Sequence, residues 1–345
     1  MKYVLGIEST AHTFGVAVVD WQGKILSNVS DSYITESGGM IPIEVRKHHY
    51  KVADGLFERA LREAGIGENQ INIIAFSNAP GLAPCLLEGM GFIKRIAKRL
   101  DVPIVCVNHC IAHLEIGDVV GAKDPVMLYA SGANTQIIAY ESGKYRVFGE
   151  TLDLGVGNFI DTFARYVGLG FPGGPKIQKL AEECENKDEL IELPYSIKGM
   201  DVAFSGLQTK LKNLLDKNSL SLEKKDSSEA KKLSYLRDLS YSMQEVVFAM
   251  LVEAAERALA HTGKKELLLG GGVACNSRLQ EICKIMCEER GVKFFCPDRN
   301  LLLDNPAMIG YLGLKMFKKG LGKKDYDRID VFPRQRTDEV EVTWK

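Results

Sequence analysis

Val4-Leu5-Gly6-Ile7, Ser9-Thr10-Ala11-His12-Thr13 and Val16-Ala17-Val18-Val19 run as strand, small polar loop and strand. Asp20-Trp21-Gln22-Gly23 then turns the chain into Lys24-Ile25-Leu26. The same order returns far downstream. Val126-Met127-Leu128-Tyr129 is followed by Ser131-Gly132-Ala133-Asn134-Thr135, Gln136-Ile137-Ile138-Ala139-Tyr140, the turn Ser142-Gly143 and Tyr145-Arg146-Val147. Short apolar runs bounded by turn residues predict two equivalent β-meanders.

Helices and strands alternate after each meander. Glu44–Ala64 has helical spacing and stops at Gly65, Ile71–Phe76 reads as a strand, Leu86–Leu100 as a helix and Ile104–Val107 as a strand. In the second half Tyr235–His261 reads as a long helix and Glu266–Leu269 as a strand entering Gly270-Gly271-Gly272. Asn276–Arg290 follows as a helix, Val292–Cys296 as a strand and Pro306–Lys318 as the last helix. The pattern predicts an α/β protein of two related domains facing a cleft. The stretch 214–232, rich in Lys, Ser, Asp and Glu, reads as an exposed insertion, and the polar tail 332–345 as a surface segment.

A chain of 345 residues exceeds the span of one usual core. A net charge of -1 argues against a free-standing RNA binder, because neutralising phosphates takes clustered Lys and Arg. The Lys94-Arg95 and Lys98-Arg99 pairs are read first as solvated helix faces. The eight cysteines form no CxxC pair, no apolar run approaches a membrane span, and Met1-Lys2-Tyr3 leads straight into a strand pattern. Reduced thiols in the cytoplasm are the expectation.

Four loops have residues suited to a nucleotide. Ser9–Thr13 and Ser131–Thr135 are small-residue loops whose N–H groups can approach phosphate, although one such loop taken singly is more often a plain turn. Gly270-Gly271-Gly272 lets a flat ligand lie on bare backbone, or simply connects strand to helix. Asn276 suits a helix cap or a ribose contact. In Phe171-Pro172-Gly173-Gly174-Pro175 a proline opens a helix, and Gly174 leaves room for a sugar.

His109-Cys110-Ile111-Ala112-His113 is the sharpest local signal. Histidines at i and i+4 share a helix face and suit one metal ion, with Asn108 as cap; solvated histidines are the competing reading, and His48-His49 is a second pair among six. A zincin protease needs Glu where Cys110 stands. Further ligands must come from distant sequence. Asp304 and Tyr129 are candidates, with a helix cap and a core aromatic as their competing readings.

Several segments together resemble one family. They are Gly6–Thr13, Asn108–Gly117, Leu128–Gln136, Gly155–Asp161, Phe171–Pro175, Ala203–Leu207, Gly271–Asn276, Asp304–Ile309 and Arg336–Val340. The chain resembles the tRNA N6-adenosine threonylcarbamoyltransferases, called TsaD in bacteria and the Kae-type catalytic subunit of the KEOPS complex in archaea and eukaryotes. The AHT loop, Tyr129 and the ending are similar to the archaeal and eukaryotic branch, and the form fused to a kinase is not expected.

The resemblance implies an actin-like, ASKHA-type fold. Its N-terminal domain would span 1–124, joined by about 304–345, and its C-terminal domain 125–303. It implies one iron or zinc ion held by His109, His113, Tyr129 and Asp304. Threonylcarbamoyl-AMP would contact Tyr129, Ala130, Ser131, Gly132, Ala133, Asp161, Gly174, Gln178 and Asn276, with ATP, ADP or AMP as other occupants. Its partners would be tRNA and the other KEOPS subunits, a small kinase and a dimerising subunit. The implied reaction transfers the threonylcarbamoyl group to N6 of the adenosine beside the anticodon. No general base is singled out.

The chain departs from the family pattern at Ala133, where a second Gly is usual, and at Gln178, where an acid is. Ser9, Ala79 and Ala83 replace Gly, and Ile43 replaces Arg. Two other functions stay open: a nucleotide-binding regulatory or scaffold subunit, which the loop alanines favour, and a metallopeptidase, suggested only by the histidine pair. Transfer to tRNA separates the three.

Overall fold

The structure is a computed structural model that describes residues 2–35, 40–222 and 229–345. Its first sheet contains β1 (Tyr3–Glu8), β2 (Thr13–Asp20), β3 (Ile25–Ser32), β4 (Ile71–Ala79) and β5 (Ile104–Asn108), in the order β3-β2-β1-β4-β5. Helices α1 (Pro42–Ala64), α2 (Ala83–Leu100) and α3 (His109–Glu115) belong to this half. The second half opens with β6 (Val126–Ala130), β7 (Thr135–Glu141), β8 (Lys144–Glu150), α4 (Val156–Tyr166) and α5 (Gly174–Glu182). A small hairpin of β9 (Ile197–Lys198) and β10 (Asp201–Val202) leads to α6 (Ser205–Leu222) and α7 (Glu229–Thr262). β11 (Glu266–Gly270), α8 (Ser277–Arg290), β12 (Lys293–Phe295), α9 (Arg299–Leu302) and α10 (Pro306–Lys318) complete the chain's regular elements.

The second sheet runs β12-β11-β6-β7-β8. Counted within each half, the two sheets have one topology: strand one pairs antiparallel with two, two with three, and parallel with four, which pairs parallel with five. The meander turns explain the local pairing. Asp20 accepts from the Gln22 and Lys24 N–H groups at 2.9 Å, while Ser142 and Gly143 both take positive φ, as a tight hairpin requires.

Alternation along the strands fixes what each face meets. Leu5, Ile7, Val16, Val18, Ile74 and Phe76 pack outward with α1 and α2, whereas Val4, Ala17, Val19, Ile73 and Ala75 join α10 and α3 in a central cluster. In β6, Val126, Leu128 and Ala130 face the cluster built with α4, α6, α7 and α8, and Met127 and Tyr129 face the central one. Both faces of both sheets are thus covered, which is why the strands read as continuous apolar runs. Helix α3 lies between the sheets, touching β4 and β5 on one side and β6 and β11 on the other.

Helix α10 presses directly on β1. A Cβ on Gly6 would sit 2.3 Å from the Pro306 carbonyl oxygen and 2.6 Å from the Gly310 nitrogen, so backbone meets backbone. That contact carries Asp304 from the far end of the chain to the C-terminal end of β1 and β5.

Two expectations are modified. Of the stretch 214–232, Leu214 and Leu215 are half-buried in α6 against the second core, residues 230–234 are exposed in α7, and 223–228 lie outside the described residues. The tail is not a loose surface segment. Trp344 is buried and stacks on Tyr145 at 6.4 Å, and Lys345 Nζ lies 3.1 Å from buried Glu115, which also bonds Tyr145 and Lys315. Its polar sequence hid one aromatic anchor and one buried carboxylate partner.

Candidate metal centre and nucleotide cleft

Asn108 ends β5 and caps α3, accepting from the Ile111 N–H at 3.2 Å. The next turn therefore projects His109 and His113 together into the space between the sheets, ring centroids 4.8 Å apart and both buried. From β6, the inward register brings the Tyr129 hydroxyl to 3.2 Å from His109 Nε2. Asp304 Oδ1 lies 3.2 Å from His109 Nε2 and 3.4 Å from His113 Nε2. The helix-cap reading of Asp304 does not hold, because Asn305 caps α10 by accepting from the Met308 N–H at 3.0 Å. Its carboxylate is left for the histidines.

One donor atom from each of His109, His113 and Asp304 lies within 4.8 Å of the other two. Two imidazoles, a carboxylate and a phenol form a set suited to zinc or iron. A buried set of this kind, with two rings turned toward one carboxylate oxygen, fits a single cation.

Glu8, to which sequence reading gave no role, completes the group. Its fully buried carboxylate accepts from the Thr10 N–H at 2.7 Å and the Thr10 hydroxyl at 2.5 Å, and lies 2.9 Å from His109 Nδ1. A proton held on Nδ1 by Glu8 leaves Nε2 as the position a cation would take in place of the second ring proton. Burial opposes charge on His109, but the Glu8 and Asp304 carboxylates outweigh it and hold the imidazole well above the usual histidine value. Burial pushes His113 down. Burial also opposes charge on Asp304, yet His109 beside it keeps this carboxyl well below the usual range. Burial lifts the Tyr129 phenol well above its ordinary value.

The loop after Tyr129 is tied at its ends and open at its tip. Ser131 N–H and Oγ donate to the Asn134 carbonyl at 2.9 and 3.0 Å. Among the described residues, the Gly132 and Ala133 N–H groups have no acceptor within the chain, and both residues are exposed. Ala133 has no positive φ, so its methyl costs the loop nothing in backbone strain. Gly271 lies against this loop with φ +92°, and a Cβ there would be 2.4 Å from the Ala130 carbonyl oxygen.

Asp161, Gly174, Gln178 and Asn276 form a second group. Asp161 Oδ1 accepts from the Gly173 N–H at 2.7 Å, and burial raises its carboxyl against the pull of the Gly173 and Gly174 N–H groups. Gly174 has open space where a Cβ would stand. Gln178 donates to Glu182 at 2.8 Å and to Ser277 at 3.0 Å, next to Asn276. Asn276 caps α8 through Arg278 and Leu279 and donates to Gln244 at 2.9 Å, so its side chain is already engaged. Among the described residues no hydrogen bond joins this group to the histidines. The Ser9–Thr13 loop reaches toward it: the His12 ring meets Phe171 edge-on at 5.8 Å.

Two equivalent α/β lobes, with the metal-capable side chains between their sheets and an open small-residue loop beside them, have the actin-like ASKHA fold. In accord with this, HypF of T. kodakarensis superposes with a TM-score of 0.56 at 16% identity, covering 94% of this chain and 48% of that one. Residues 24–311 match the TsaD family, described as tRNA N6-adenosine threonylcarbamoyltransferase. The enzyme of that description from Thermococcus sibiricus is 51% identical over 340 residues, 99% of each chain. A probable bifunctional tRNA threonylcarbamoyladenosine biosynthesis protein of Methanosarcina mazei is 48% identical over 99% of this chain and 59% of its own. The chain belongs to the tRNA N6-adenosine threonylcarbamoyltransferase family.

Proposed function

We propose that this protein moves the threonylcarbamoyl group from threonylcarbamoyl-AMP to N6 of the tRNA adenosine next to the anticodon, at a metal centre of His109, His113, Tyr129 and Asp304. Family membership supports the transfer itself over a regulatory or peptidase role. The observation that carries the site is the convergence of His109, His113 and Asp304 within 4.8 Å in a buried space. A bound iron or zinc ion there supplies Lewis acidity and a fixed template.

The rest is done by the chain. Gly132 and Ala133 N–H groups receive the AMP phosphate, where negative charge grows as the carbamoyl–phosphate bond breaks. Gly174 gives the sugar room, and Gln178 offers a polar contact without charge. Asp161 holds the Gly173–Gly174 backbone in place, and Asn276 keeps the start of α8 in position beside it. The N6 nitrogen forms the new bond to the carbamoyl carbon, AMP departs and the amine loses one proton. An exocyclic amine is a weak nucleophile, so holding both partners at reacting distance supplies much of the acceleration.

The lobes in this reading are 1–124 with about 304–345, and 125–303. The small kinase and dimerising subunits of the KEOPS complex are its partners, and the cytoplasm its compartment. Among the described residues no helix is long and apolar enough to cross a membrane. The test is transfer of labelled threonylcarbamoyl to tRNA by the purified chain, alone and with partners. Label should appear in tRNA with the wild type and fall at least ~100-fold with Asp304→Ala, as the loss of one buried charged ligand predicts. Nucleotide binding with no label in tRNA under any condition supports the regulatory reading instead.

A further inference from the structure

A groove of about 580 Å³ opens near the metal-capable side chains, lined by Ala83, Val331, Phe332, Pro333, Arg334, Gln335 and Glu339. It is built by the tail folding back over the start of α2, and its backbone is fixed. Phe332 N–H donates to the Asn78 carbonyl at 2.9 Å, Gly81 N–H to the Pro333 carbonyl at 3.1 Å, and Gln335 N–H to the Phe332 carbonyl at 3.1 Å.

Short bonds tie the groove to the metal group. Leu82 N–H donates to the Thr10 carbonyl at 2.7 Å, and Thr10 Oγ1 stands 3.3 Å from His109 Nδ1. On the other side Asn108, the residue before His109, donates through Nδ2 to Gln335 Oε1 at 3.3 Å. The phosphate-facing loop Ser131–Asn134 approaches the same helix from the second lobe, where Asn134 Nδ2 lies 3.9 Å from Cys110 Sγ.

The lining has an unusual chemistry for a tail that is otherwise tightly paired. Phe332 is 50% exposed on a rigid backbone and, among the described residues, stacks on no other ring. Arg334 is exposed and has no ion pair among the described residues, whereas its neighbour Arg336 is held by Glu150 and Asp338. The Gln335 amide N–H₂ has no acceptor among them, and Glu339 turns its carboxylate onto the Arg336 N–H. A free aromatic face, a free guanidinium and a free amide are the groups that hold an unstacked nucleobase with its flanking phosphate.

We propose that this groove seats the single-stranded RNA around the acceptor adenosine: a base stacks on Phe332, Arg334 pairs with a phosphate, and Gln335 reads a base edge. The inference rests on the transfer reaction proposed above. A protein segment is the competing occupant, disfavoured because Gln335 of the lining is bonded to Asn108, the residue before His109, which sets the groove next to the metal group.

The experiment uses the full chain in the transfer assay with Phe332→Ala, Phe332→Trp and Arg334→Ala, together with anisotropy of a labelled anticodon stem-loop RNA. One stacking contact is worth on the order of tenfold in affinity. The KM for tRNA and the Kd for the stem-loop should therefore rise about tenfold with Phe332→Ala. Phe332→Trp should restore both. Arg334→Ala should also reduce the slope of log Kd against log salt by about one contact. AMP affinity and metal content should stay within about twofold in all three, a range that excludes loss of a specific contact. RNA affinity unchanged in both alanine variants overturns the proposal, as does a parallel loss of AMP affinity, no RNA binding by the wild type, or loss only of stimulation by partners. A wild type that binds the stem-loop through this groove yet transfers nothing counts against the reaction and not against the groove.

Discussion

Glu8 shows how one residue sets the chemistry of another. With its carboxylate occupied by Thr10 and placed 2.9 Å from His109 Nδ1, it is positioned to keep a proton on Nδ1, so that a cation would take Nε2. Glu8→Gln keeps the shape and removes the charge. Metal affinity, measured by chelator competition, should fall ~10- to 100-fold while the fold persists by circular dichroism. An affinity within about threefold of wild type would mean the Glu8–His109 contact does not orient the ring. The sequence made the histidine pair legible because i and i+4 share a helix face. Glu8 and His109 are 101 positions apart, and no local periodicity links them. Tyr129 and Asp304 could be named as candidates from the sequence, but only family resemblance preferred them, since alone each matches a core aromatic or a cap equally well.

At the level of elements, the ten strands of the two five-stranded sheets could be located, since two covered faces leave an apolar run between turn residues. Of these, β2, β4 and β8 extend three residues and β3 six beyond the stretch read for each. Helix α4 could not be located. Its first turn carries Gly155 and Gly157 because Gly132 packs against both, and a Cβ on Gly157 would be 2.7 Å from Gly132 Cα. Glycines needed for close approach read as a loop. The Phe171–Pro175 loop separates steric from ligand roles in one comparison. A Cβ on Gly173 would lie 2.3 Å from Ala164 Cβ and 3.1 Å from Asp161 Oδ1, whereas one on Gly174 meets nothing within 4 Å. Gly173→Ala should cost about 1–3 kcal/mol in urea unfolding. Gly174→Ala should leave stability unchanged and weaken AMP binding by calorimetry. Equal stability losses in the two would refute the distinction, and undiminished AMP affinity in Gly174→Ala would take the sugar away from this site.

In the whole molecule the repeated topology was readable from two meanders; the joining of about 304–345 to the first lobe was expected from family resemblance alone, and the anchoring of the tail was not expected. Both depend on contacts between chain ends that no local pattern encodes. The assembled first lobe also buries His49 of α1 against Phe14, at 5.4 Å between ring centroids. Burial first, then the neighbouring His48 and His12, lowers its pKa to about 4. Unfolded, it titrates near its usual value of 6.5. Between those values the unfolded chain binds the extra proton, so stability is complete above about pH 6.5 and is lost as pH falls toward 4. The contribution lost between pH 7 and 5 is about 2 kcal/mol, and urea unfolding of His49→Leu should show a correspondingly flatter pH dependence. Identical pH profiles would place the acid sensitivity elsewhere.

The account as a whole stands on one cation joining both lobes beside an adenylate. Anomalous diffraction from crystals of the metal-loaded protein with AMP is the direct measurement. One peak should lie about 2.0–2.3 Å from His109 Nε2, His113 Nε2, an Asp304 oxygen and the Tyr129 hydroxyl oxygen, with the AMP phosphate on the Gly132–Ala133 loop. A peak at His48–His49, or a metal-loaded crystal whose ion contacts neither Asp304 nor the histidines of α3, would contradict it.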